Sequence, residues 1–123
     1  MILLKSSIVL LLLDSIYLTL FSKHFSDQVN DVQKSPLEFR LIPAILCYIA
    51  LIFGLNYFVL NTNKSNEQKI LDAVLLGLVI YAVYEMTTYT ILKDWNIKSV
   101  LIDTIWGGIL FGLTTFIVTK IIP

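Results

Sequence analysis

Three acids interrupt segments that are otherwise apolar: Asp14, Glu85 and Asp103. A carboxyl group can carry a proton, ligate a cation or accept hydrogen bonds. At membrane depth it is costly, roughly 2.5 to 3.5 kcal/mol at a helix centre on insertion scales, so an acid retained there marks a candidate site. At neutral pH a group of such acids either shares protons or holds a cation, and its titration belongs to the group rather than to one residue. Residues three or four apart share a helix face. Tyr17 therefore accompanies Asp14, Tyr81, Thr88 and Tyr89 accompany Glu85, and Trp106 and Gly107 accompany Asp103. Hydroxyls can donate to carboxylates and aromatic rings can exclude lipid. With Tyr48 and Tyr84, these residues form the expected supporting pocket. Asp14-Ser15-Ile16-Tyr17 and Asp103-Thr104-Ile105-Trp106 resemble one another, a hint of shared role.

The elements that must position these acids are readable from composition. The chain has 123 residues, 57% of them hydrophobic, and zero formal net charge; its mean hydropathy is +0.81. That is too apolar for an ordinary soluble domain of this size, and the neutral balance argues against nucleic acid as a partner. Four apolar runs, about 2–22, 39–60, 70–92 and 97–122, are each near the roughly 20 residues that span a bilayer as a helix. They are too long for strands and lack alternation. The expected architecture is all-α: one integral membrane four-helix bundle, multi-pass, with the lipid bilayer as its surroundings and both termini on one side.

Asp14 interrupts the first run and no small-x-small cleavage site follows, so that run reads as a mature helix rather than a signal peptide. Ser35-Pro36-Leu37-Glu38 reads as a helix start, and Ser65-Asn66-Glu67-Gln68 repeats the capping pattern. Pro43 inside the second run predicts a kink near 39–43. The polar stretch 24–34, with Phe25, Val29 and Val32 at helical spacing, reads as a short helix on the membrane surface. Trp95 and Tyr57 fall near run ends, where aromatic residues favour the interface. Lys and Arg are split too evenly between the two sides to orient the chain.

Antiparallel threading puts the first and third loops on one face. Counted from that face at ~1.5 Å per residue, Asp14 lies roughly 12 Å deep, Glu85 roughly 10 Å and Asp103 roughly 9 Å. The three acids fall in one layer, where the second helix contributes Cys47 and Tyr48. Cys47, the single cysteine, reads as a small core residue and excludes an internal disulfide. Gly108 and Gly112 form a small-xxx-small pair, suited equally to packing within the bundle or to dimerisation. His24 reads as a solvated loop residue. There is no metal-type His/Cys cluster, no phosphate-binding glycine loop and no Ser–His–Asp arrangement, so no cofactor is expected beyond a bound cation.

The motifs Leu13-Asp14-x-x-Tyr17-Leu18, Tyr81-x-x-Tyr84-Glu85-x-Thr87, Trp95 in the third loop and Asp103-x-x-Trp106-Gly107 span nearly the whole chain. On these residues it resembles the small predicted membrane proteins known as domain of unknown function twenty-one seventy-seven. The family pattern has Trp at the position of Tyr17, Asp at that of Glu85 and Asn at that of Thr88, so acidity is kept at all three sites. The resemblance implies a four-helix membrane fold with an acidic site.

The leading functional expectation is cation- or proton-coupled transport or conduction, with Asp14, Glu85 and Asp103 binding the ion or proton. So small a bundle would act as a homo-oligomer, a dimer through helix four being favoured. One alternative is a structural or accessory membrane protein that binds a partner helix or lipid, its acids acting as protonated hydrogen-bonding glue. Another is a small intramembrane lipid-modifying enzyme, which the absence of a core histidine disfavours.

Overall fold

The computed structural model describes all 123 residues. The chain folds into α1 (Ile2–Gln33), α2 (Leu41–Leu60), α3 (Asn66–Ile91) and α4 (Ile97–Ile121), each long and apolar enough to cross a membrane. Helices satisfy the backbone within each segment, which lipid requires. Outward side chains such as Leu12, Ile45, Val83 and Ile105 are large, apolar and exposed, as a lipid-facing surface demands. Inside, Leu10, Leu55, Leu110 and Phe111 are fully buried and form the centre of the bundle with Val59, Ala73 and Val118.

The closest packing lies between α3 and α4, and glycine makes it close. A Cβ at Gly77 would collide with the carbonyl oxygen of Gly107; one at Gly107 would meet the Tyr81 ring; one at Gly108 would meet Leu78, and one at Gly112 would meet Val74. Small residues let helix backbones approach where lipid supplies no hydrophobic drive. Gly108 and Gly112 are thus engaged within the chain, against Leu78 and Val74 of α3, the first of the two roles their spacing allowed. In contrast, α2 leans on α1 and meets α3 chiefly through its last turn.

Boundaries differ from the sequence reading in ways local chemistry explains. The stretch 24–34 is not a separate surface helix, because α1 continues unbroken to Gln33. No Gly or Pro interrupts 23–33, and the helix stops where Lys34 turns left-handed at φ 61° and donates its N–H to the Asn30 carbonyl. The Gln33 side chain then donates to the carbonyls of Ser35 at 3.1 Å and Pro36 at 2.7 Å. This holds the connection extended, so Ser35 caps nothing and α2 starts only at Leu41. Pro43 consequently sits in the first helical turn, where its missing N–H costs no intrahelical bond and no kink is needed. Ser65 does cap α3, its Oγ accepting from the Gln68 N–H at 3.2 Å, and α3 begins four residues before the expected 70.

Two further features mark one end of the bundle. Both α2 and α4 finish in a wider π turn, at Asn56–Leu60 and Ile117–Ile121. Lys5 Nζ donates to the carbonyls of Ile122 and Pro123, each at 3.0 Å, so the two chain ends meet there.

Candidate functional site

All four helices and the third loop contribute to one connected polar layer. From α1, Asp14 is buried and accepts two bonds from other helices. Its Oδ1 takes the Trp106 Nε1–H of α4 at 2.8 Å, and its Oδ2 takes the Tyr48 hydroxyl of α2. The Trp106 ring lies parallel to Tyr17, with centroids 4.6 Å apart and planes 3° apart. Tyr17 in turn donates its hydroxyl to Asp103 Oδ1 at 3.1 Å. On α3, Glu85 is 1% exposed and its Oε1 accepts the Trp95 Nε1–H at 2.9 Å. The Glu85 and Asp103 carboxyls are neighbours in this layer.

The local reasons are simple. Asp14 and Tyr17 stand three apart on one face of α1, as do Asp103 and Trp106 on α4, and the two helices run so that each acid meets the other's aromatic donor. Both Asp14 oxygens are engaged by protein donors. No group of three or more His, Cys, Asp or Glu side chains is arranged to hold a metal ion. The chemistry on display is hydrogen bonding from aromatic donors to the acids.

The other expected residues divide. Tyr81 stacks its ring against Gly107, and together with Tyr84, Cys47, Leu51 and Ile80 it lines a groove of about 220 Å³ that reaches Asp103 between α2 and α3. Cys47 is exposed, not a core residue. Thr88 turns its hydroxyl back to the Tyr84 carbonyl at 2.9 Å and touches no acid; Tyr89 faces outward. Trp95, read as an interfacial residue, is instead buried against Glu85, because the short connection after α3 folds back over that helix end. Tyr57 remains exposed and packs on Phe53 and Phe58.

A second polar cluster went unread in the sequence. Gln28, on the last turns of α1, donates Nε2–H to the Asp94 carbonyl at 2.9 Å. Its Oε1 accepts the Asn96 N–H at 3.0 Å and the Ser99 hydroxyl at 2.9 Å. Because Ser99 donates to Gln28, His24 at 3.0 Å must supply the proton of its own bond, which fixes its Nε2–H form. His24 is therefore a half-buried partner of Ser99 and not a solvated loop residue. The one available signal was the spacing of four between His24 and Gln28. Replacing Gln28 by alanine strands the buried Ser99 hydroxyl and leaves two partly exposed backbone groups to find water, so a loss of about 2 to 3 kcal/mol is expected in thermal unfolding of the detergent-purified protein.

A family model described as Predicted membrane protein (DUF2177) matches residues 1–119. No curated protein and no solved structure matches the chain.

Proposed function

The chain belongs to this family of predicted membrane proteins, and from the arrangement of its acids we propose that it is a proton-coupled transport or conducting protein in which Glu85 and Asp103 carry the proton. One observation supports this reading above the others: two neighbouring carboxyls from different helices, inside the apolar span. Two like unit charges 4 Å apart repel by about 4 kcal/mol even at an effective dielectric of 20. Such a pair is held together by a proton, which one carboxyl donates to the other, as in paired catalytic carboxylates. Asp14 then serves as an anchor, keeping Trp106 and Tyr17 in place so that Tyr17 can hold Asp103. A path through so few helices calls for a second copy of the chain.

The fully bonded state of Asp14 favours a second reading, that of a structural or accessory protein whose acids join helices. Infrared spectroscopy and flux separate the two. Under the proton-carrying reading, a protonated carboxylic-acid band is present at neutral pH. It disappears in both Glu85→Gln and Asp103→Asn, and proteoliposome proton flux driven by an imposed potential disappears with it. Flux indistinguishable from empty vesicles in the parent protein would leave the structural reading standing.

A further inference from the structure

The groove between α2 and α3 has a composition that matches one class of ligand. We infer that it is a lateral binding site for a lipophilic organic cation of the alkylammonium type, its charged head against Asp103 and its chain in the surrounding lipid. This deepens the proton-coupled reading and rests on it, by naming the cargo class that would exchange with the proton.

Four observations carry the inference. The groove is open on the lipid side, because α2 parts from α3 along its middle; Cys47 and Tyr84 on its rim are exposed. Its walls are apolar or aromatic except for Asp103 at its depth. Those walls cannot replace the water of a small metal ion, whereas an alkylammonium needs no such replacement. The rings of Tyr81 and Tyr84 suit a cation in contact, worth roughly 0.5 to 2 kcal/mol each. At about 220 Å³, the space is smaller than the roughly 300–1,000 Å³ of sites that enclose a whole drug-sized molecule; it takes a head group and leaves the tail outside.

Charge complementarity points the same way. The titratable groups around Asp103 are Asp14 and Tyr17 from α1, Cys47 and Tyr48 from α2, and Tyr81, Tyr84 and Glu85 from α3. None is a Lys or Arg, so the layer contains acids and no internal counter-cation. When an alkylammonium head binds at Asp103, the proton shared with Glu85 leaves to the solvent. One positive charge enters and one departs.

The test titrates decyltrimethylammonium into the full chain in an uncharged detergent, with decanol as the neutral control, and reads heat together with proton release into weak buffer. Saturable binding with about one proton released per site is expected. Asp103→Asn should weaken it at least about tenfold, and Tyr84→Ala, on the exposed rim, by about 2- to 30-fold. Cys47→Trp fills the groove and should abolish binding while leaving the carboxylic-acid band intact. Equal binding of decanol, or parent-like affinity in Cys47→Trp, overturns the inference. If decyltrimethylammonium fails to bind while the band persists, the groove proposal falls and the proton pair stands. If it binds without proton release and without the band, the proton reading falls and the groove remains a site.

Discussion

Valine at Gly77 is expected to unfold the centre of the bundle. A Cβ there meets not a side chain that can rotate away but the carbonyl oxygen of Gly107 on the facing helix. Overpacking a core typically costs about 1 to 3 kcal/mol when side chains can shift; a backbone contact permits no such relief, so a loss of at least about 3 kcal/mol is expected. The damage reaches the acids, because Gly107 also supports the Tyr81 ring and lies four residues beyond Asp103. A control is built into the chain: at Gly54 nothing lies within 4 Å of an added Cβ. Gly54→Ala should be neutral or stabilising by up to about 1 kcal/mol through helix propensity. Thermal unfolding of both variants in the same detergent compares them directly. Parent-like stability in Gly77→Val would show that α3 and α4 do not pack backbone to backbone.

Removing the Asp14 carboxyl is expected to be nearly as damaging. In Asp14→Ala the Trp106 N–H and the Tyr48 hydroxyl both lose their acceptor. Each stranded buried donor costs about 1 to 3 kcal/mol, which sums to about 2 to 6 kcal/mol. Asp14→Asn keeps one acceptor oxygen and should recover about half of that loss. The pair of variants separates anchoring from proton carrying. If Asp14 only anchors, the asparagine protein keeps the carboxylic-acid band that Glu85→Gln and Asp103→Asn lose. If the band goes with Asp14 as well, the three acids act as one titrating unit.

The helices were legible because the length of an apolar run is a direct measure of a span. The acids were legible because nothing in lipid makes a buried carboxyl cheap. What could not be read was the direction in which each helix faces. A soluble helix shows its inner side by its apolar stripe, but here both sides are apolar. Cys47 and Tyr48 share a depth, yet one turns to the lipid and the other to Asp14. Thr88 lies on the expected face of Glu85 but satisfies its hydroxyl within its own helix. Polar composition misled in the opposite sense at 24–34: it suggested departure from the bundle, whereas His24 and Gln28 carry α1 onward to grip the connection between α3 and α4. Trp95 was placed by its position near a run end, and only the return of the chain over Glu85 turns it inward.

The chain contains two tryptophans, and both donate their indole N–H to a carboxyl of this layer, Trp106 to Asp14 and Trp95 to Glu85. The protein's tryptophan fluorescence, excited selectively at the red edge beyond tyrosine absorption, therefore comes wholly from rings bonded to the acids, with no background from an idle indole. Loss of a proton, arrival of a cation or rupture of either bond should shift the emission of the unlabelled native chain. Phenylalanine at one tryptophan leaves the other as a single-site reporter, so the anchor and the proton pair can be followed separately in real time.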